Sequence, residues 1–452
     1  MALNSSALAE AVFPAALRPY WERVRSSAIG ARLVVGAFWS IAGAMISRGL
    51  TLLATVVVAR LLGQETYGAL GIVQSTVGMF GVFAGFGMGI TATKYVAELR
   101  ERDPTRAGQI LGLSGLVALV SGGMMAVALI ALAPWLASAI LSASHLTGPL
   151  RVSAVILFFS ALNGAQTGAL AGFEAFRRIA QVNLLIGLTS FPLLVAGAAW
   201  GGLDGTVLAL GVHQGVNWLV SHLALRREAA KYRVPLGFRG AAKQWPVLWR
   251  FSLPAVLSGI LVTPVSWVCG ALLVNRPGGY AEMGVLSAAN QWNSAILFVP
   301  NALRQIVLPL LSSLGADSNP GRYWKVLRAN LLLNAGVTTL VVLPIIWAAP
   351  LIMRGYGAGF ERGANTLRLI AAAAVFMAAN NVVGSAIASR GKMWVGLAFN
   401  AMWAGALIST AALLLRKGMG ASGVALAFLI AYVCHTAWQG VYLHLISRPR
   451  QT

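Results

Sequence analysis

The fold class predicted by the sequence is an all-α polytopic membrane protein: about twelve transmembrane helices in two parallel six-helix bundles. Three observations predict it. Apolar stretches of spanning length recur along the 452 residues, basic residues collect in alternate loops between them, and the second half of the chain repeats the first. Hydrophobic residues make up 58% of the chain and charged residues 10%, with a mean hydropathy of +0.75. Soluble chains carry roughly a quarter charged residues, so most of this surface must face lipid. The apolar runs are continuous and lack the alternation of a lipid-facing strand, which excludes a β-barrel.

Taken in order, residues 1–34 form a cytoplasmic lead-in. Arg18, Arg23, Arg25 and Arg32 are interleaved there with Phe13, Tyr20 and Trp21. No small-residue cleavage pattern follows, so this is a surface-lying segment and not a secretory signal. The first bundle, 35–225, holds spans near 35–62, 67–93, 107–133, 151–173, 179–200 and 205–225. A basic linker, 226–248, follows. The second bundle, 249–446, holds spans near 249–274, 282–312, 326–349, 367–389, 393–415 and 421–446, and a tail of 447–452 closes the chain. Cys269 and Cys434 both fall within spans and read as packing residues, with no disulfide or metal framework to build from two isolated thiols.

Net charge is +22. Nucleic acid is excluded as its cause, because the basic residues lie in short loops between spans. Of the 34 Lys and Arg, 24 fall in the lead-in, the tail and the even-numbered loops, and eight in the odd-numbered ones. That bias orients an even number of spans with both termini in the cytoplasm.

A slide of 216 residues aligns Gly68 with Gly284, Gln74 with Asn290 and Arg106 with Arg322. At 217, Arg151 meets Arg368, Asn163 meets Asn380 and Asn183 meets Asn400; at 218, Asp204–Ala209 meets Ser422–Ala427. A repeat at this period, separated by an even number of spans, gives two bundles of the same orientation around a central cavity. His213 and His222 also echo His435 and His444, but nine residues is two and a half turns, so neither pair can chelate a metal on one helix.

The run Val58-Ala59-Arg60-Leu61-Leu62-Gly63, followed by Tyr67-Gly68-Ala69-Leu70, resembles the matching segment of the Wzx-like polysaccharide-biosynthesis flippases. These belong to the multidrug/oligosaccharidyl-lipid/polysaccharide superfamily. Met283-Gly284-Val285-Leu286-Ser287-Ala288-Ala289, Pro309, Arg390-Gly391-Lys392 and the Gly420/Gly423 opening of the last span are similar to it too. The resemblance covers about residues 34–446. It implies a V-shaped fold like that of the multidrug-extruding MATE relatives. It also implies transport of undecaprenyl-pyrophosphate-linked oligosaccharide across the bacterial inner membrane, for O-antigen, capsule or exopolysaccharide. The Gly-x-x-x-Asp-Arg-x-Gly signature of the major facilitators is missing from the loop Lys94–Asp103.

Two charges stand where lipid would not place them: Arg48 in the first span and Arg304 in the eighth. A mid-bilayer arginine costs ~2.5–3.5 kcal/mol. All twelve acidic residues lie in tails, loops or span ends, with Asp204 and Glu282 nearest. The two guanidinium groups are therefore expected to lack a protein counter-charge and to bind an anionic substrate. Guanidinium grips pyrophosphate bidentately where lysine offers a point charge; snorkelling, or bonding to carbonyls freed beside Pro300, is the alternative. Gln74, Asn290, Gln291 and Asn293 form an amide belt suited to sugar hydroxyls and equally to interhelical bonding. Asn163 and Asn380 read as structural, and Gly81, Gly85 and Gly89 as a close-packing stripe.

No cofactor, metal or catalytic residue is expected. The expected partners are the lipid-linked oligosaccharide and membrane lipid, with a polysaccharide polymerase and chain-length machinery downstream. Two alternatives stand beside the flippase. A cation-coupled drug or metabolite antiporter of the same fold would carry a carboxylate inside its bundles. A glycosyltransferase, polymerase or ligase would need acids, bases or metal ligands on a sizeable loop, and 134–150 and 350–366 are short.

Overall fold

The computed structural model describes residues 28–253, 260–298, 300–301, 320–389 and 392–447. Arg304, Pro309, Arg390, Gly391, most of the lead-in and residues 448–452 lie outside the described residues. The helices are α1 (Ala28–Gly85), α2 (Met88–Leu99), α3 (Pro104–Trp135), α4 (Thr147–Gly172), α5 (Phe176–Lys231) and α6 (Val262–Val274). They continue with α7 (Gly279–Ile296), α8 (Pro320–Gly355), α9 (Ala364–Ser389), α10 (Met393–Arg416) and α11 (Gly420–Ser447). Among the described residues, eight helices are long and apolar enough to cross a bilayer. Two of these are each a pair of predicted spans: α1 breaks at Gly63 (φ 75°) and α5 at Gly202 (φ 54°). α6 and α7 fall where the seventh and eighth spans are expected.

The second span differs from expectation. It ends at Gly85, because Phe86 and Gly87 are both left-handed (φ 40° and 66°), and α2 starts afresh at Met88. The predicted glycine stripe therefore does not act as one surface. Gly89 packs on the backbone of Gly164, whereas Gly85 faces open space.

Lipid exposure is written in the aromatic residues. Trp200, Trp347 and Trp394 are 89%, 85% and 79% exposed, which water would penalise and an interfacial belt favours. With no hydrophobic drive between helices in lipid, small residues and buried polar bonds hold them together.

The duplication is visible in the backbone. Gly202 and Gly420, 218 residues apart, have φ of 54° and 55°. Asn163 Nδ2 donates to Gln214 O at 3.2 Å, and Asn380 Nδ2 to Tyr432 O at 3.3 Å. Those two bonds are equivalents in the same register, so the repeated asparagines tie the fourth span to the sixth and the tenth to the twelfth. In that register His213 matches Ala431 and not His435. The histidine echo is thus one turn out of step and is no structural equivalence.

The chain forms two compact units. One contains Gly36–Ala288 and Arg354–Glu361; the other contains Ala289–Met353 and the helices from Arg362 onward. In the second, Tyr323, Val326, Leu327, Val382 and Ala386 form a buried cluster of α8 and α9. In the first, Asp103 caps α3 by accepting from Arg106 N at 3.0 Å, with Pro104 in the first turn.

Close by, Arg100 ties three elements of the first unit. Its guanidinium donates to Gly172 O, at the end of α4, at 2.7 Å, pairs with Glu174 at 2.7 Å, and lies over the Tyr232 ring. Arg100→Ala should cost about 2–3 kcal/mol, because the buried member of the pair and a helix-end carbonyl lose their partners together. Glu174→Gln should cost less, since Glu174 is 39% exposed and solvent-screened. Thermal unfolding in detergent checks this; equal melting of Arg100→Ala and the parent would refute it.

Candidate functional site

Arg48 owes its placement to the packed face beside it. Along the first arm of α1, Gly43, Ser47 and Thr51 repeat every four residues and lie against α5. A methyl group on Gly43 would meet the Ala180 backbone at 3.1 Å, and one on Gly187 would meet Ser47 Cα at 2.6 Å. Thr51 Oγ1 is 3.5 Å from Ser190 Oγ. Arg48 is one residue, about 100°, round from that face, and it is exposed. Its guanidinium engages a neighbour within the chain, so the expectation of a cation with no protein partner is set aside.

Gln74 lies on the second arm of α1, half-buried among Ile72, Val73, Thr76 and Val77. This arm is pinned on two sides. Trp267 of α6 donates to Thr76 Oγ1 at 2.9 Å, and Thr76 in turn donates to Ile72 O at 2.8 Å. Against α7 the approach is closer still. A methyl group on Gly68 would fall on the carbonyl oxygen of Tyr280 and 2.8 Å from Gly284 N; one on Gly284 would fall on the carbonyl oxygen of Gln64. Gly71 sits against Ser287 Oγ in the same way.

Asn290, Gln291 and Asn293 follow on α7 and are all half-buried. Among the described residues, Asn293 Oδ1 and Trp292 Nε1 are buried without a hydrogen-bond partner. Unsatisfied polar atoms at this depth are costly, and they mark Asn293 as the belt member with an acceptor to spare. Arg48 and Gln74 belong to one compact unit; Asn290, Gln291 and Asn293 belong to the other.

Comparison with known proteins decides the family. The polysaccharide biosynthesis protein family model matches residues 33–315. The chain belongs to the polysaccharide biosynthesis protein family. The EPS I polysaccharide export inner membrane protein EpsE of Ralstonia nicotianae is 27% identical over 408 residues, covering 88% of this chain and 91% of that one. The lipid III flippase of Escherichia coli K12 is 22% identical over 289 residues, 62% of this chain and 68% of that one. Among solved structures, an inward-facing multidrug-resistance MATE transporter of the MOP superfamily superimposes with a TM-score of 0.73. It has 15% identity and covers 91% of this chain and 98% of that one. That likeness establishes the shared fold. The Wzx-like resemblance and the MATE-like helical fold read from the sequence are both borne out, and this polysaccharide biosynthesis protein is a multi-pass inner-membrane transporter and not an enzyme.

Two features of this family member were not singled out from its sequence. Asn275, just past α6, donates to Ile140 O at 2.6 Å and Ala271 O at 2.7 Å, and accepts from Ser142 Oγ at 2.6 Å. It clasps the loop after α3 to the end of α6, and the only local signal is an asparagine ahead of Arg-Pro-Gly-Gly. The second is the segment Arg354–Glu361, which leaves its neighbours in sequence to join the other unit. Its signal is the alternation Gly-Tyr-Gly-Ala-Gly-Phe, unusual in a loop that needs only to connect.

Proposed function

We propose that the chain flips an undecaprenyl-pyrophosphate-linked oligosaccharide from the cytoplasmic to the outer leaflet of the inner membrane, supplying surface polysaccharide assembly. The observation that carries the reading is Arg48, an exposed guanidinium halfway along the first arm of an apolar helix, in a member of this family. A pyrophosphate is the ligand that makes such a placement worth its cost. Export and flipping are the activities named for the relatives EpsE and the lipid III flippase, which supports a saccharide on a lipid carrier as cargo. Arg48 and Arg304 bind the pyrophosphate; Gln74, Asn290, Gln291 and Asn293 bind sugar hydroxyls, both donating and accepting.

Transport proceeds by alternating access of the halves 35–225 and 249–446 joined by the linker 226–248. Both termini are cytoplasmic, on the excess of basic residues in that set of loops. A polymerase and chain-length proteins then take the product in the outer leaflet.

Deleting the gene should abolish surface polysaccharide and leave lipid-linked saccharide accumulating in the cytoplasmic leaflet; restoring the chain should reverse both. Surface glycan is measured by immunoblot, and the intermediate by lipid extraction with leaflet-selective oxidation. Unchanged glycan together with altered tolerance to cationic drugs would reject the flippase in favour of the antiporter.

A further inference from the structure

We propose that Arg354–Glu361 is a releasable strap, and that its release from the first arm–second arm junction of α1 is a step of the transport cycle. This rests on the chain being a transporter, and it names how one of its connections takes part.

The topology raises the question. The chain runs in one compact unit up to Met353, spends Arg354–Glu361 in the other, and returns at Arg362. Both ends of the segment are therefore anchored in a unit to which the segment itself does not belong. Any displacement of one unit against the other must pull on it.

The contacts show what holds it. Tyr356 and Phe360 are 1% and 0% exposed, although connecting loops ordinarily run over the surface. Their rings lie 5.6 Å apart and meet the Tyr67 ring at 6.5 and 5.9 Å. Arg60 Nε donates to Gly355 O at 2.6 Å. A methyl group on Gly357 would lie 3.4 Å from Arg60 Cγ, and one on Gly359 would collide with the Gln64 carboxamide oxygen. The strap thus grips Arg60, Gln64 and Tyr67, which fall at i, i+4 and i+7 and share one face of α1.

The composition shows why it can let go. Gly357 (φ 110°) and Gly359 (φ 89°) hold backbone conformations that other residues rarely adopt. Glycines alternate with the two ring anchors, so each anchor can leave without dragging a stiff backbone. A permanent connection would gain from fewer glycines, because each adds unfolded-state entropy that ordering must overcome. Rings plugged between flexible joints are instead the makeup of a low-stability element that opens below the global unfolding limit.

The test uses the full chain in lipid nanodiscs, with Cys269 and Cys434 replaced by serine. A Phe360→Cys variant is expected to react with N-ethylmaleimide to completion while the protein stays folded by size exclusion. Its rate should be about a hundredfold below that of an Ala358→Cys control and independent of reagent concentration at saturation, as opening-limited access requires. Failure to label without unfolding would overturn the proposal, as would labelling as fast as the control. In cells, Gln64→Cys with Gly359→Cys should export polysaccharide when reduced and stop when oxidised, with either single variant unaffected by oxidant. Undiminished export by the cross-linked form would also overturn it. The labelling result needs no cargo, so failure of the strap and failure of the flippase reading remain distinguishable.

Discussion

Replacing Gly68 or Gly284 with alanine is expected to destabilise the protein by about 1–3 kcal/mol, and the two substitutions are expected to cost alike. The reason is geometric. Gly68 lies against the carbonyl of Tyr280, and Gly284 lies against the carbonyl of Gln64. Since 64 and 280, like 68 and 284, are 216 apart, the contact is reciprocal: the second arm of α1 and its duplicate α7 cross through the same residues seen from either side. The obstacle is backbone in both cases, so no side chain can rotate away, and the helices must part. Alanine's better helix propensity returns at most ~1 kcal/mol of this. Leucine at either position should leave no folded protein to recover.

Thermal unfolding by fluorescence-detected size exclusion reads the effect, with Gly49→Ala and Gly85→Ala as controls because both face open space. The controls should be neutral or slightly stabilising. The double alanine variant should cost less than the sum of the singles, since a crossing already forced apart by one methyl group admits the second more cheaply. Gly68→Ala melting with Gly49→Ala would show that the crossing does not hold the helices.

The same crossing shows how much of the fold could be read from the sequence. The pairing of Gly68 with Gly284 and of Asn163 with Asn380 was visible as a repeat, because duplicated helices keep their small and polar packing positions. The glycine at the crossing is constrained by a helix 216 residues away, yet its identity is local and survives in the alignment. Helix continuity was harder to read. An apolar run from 67 to 93 gives no local sign that Phe86 will turn left-handed, since aromatic residues seldom do; the break is imposed by how α2 must approach Gly164 and Gly168.

The candidate site was legible as a set of residue types and not as an arrangement. An arginine within an apolar span stands out on transfer cost alone, so Arg48 could be named at once. Whether it has a neighbour could not be named, because that neighbour is brought by folding. Likewise the amides of Asn290, Gln291 and Asn293 announce hydrogen bonding, but only coordinates separate a satisfied amide from Asn293, whose oxygen is buried without a partner among the described residues. The strap was least legible of all. Its two rings look like ordinary loop aromatics until Tyr67 is placed beside them.

Arg48→Ala is expected to lower export per transporter copy by about 10–100-fold, the equivalent of one to two charge-assisted hydrogen bonds to phosphate oxygen. Abundance and melting temperature should stay close to those of the parent, because the face that packs on α5 is carried by Gly43, Ser47 and Thr51, one step round the helix. Arg48→Lys separates charge from shape: a lysine keeps the cation but loses the planar fork, so its export should fall between those of alanine and arginine. Ser47→Leu provides the opposite control. It should disrupt the close approach of Gly187 and lower the melting temperature, with export falling only as folded protein is lost. Surface polysaccharide normalised to membrane abundance is the measurement. Full export by Arg48→Ala at normal abundance would remove this guanidinium from the substrate's path, and with it the argument that the cargo's anionic group is what the first span recognises.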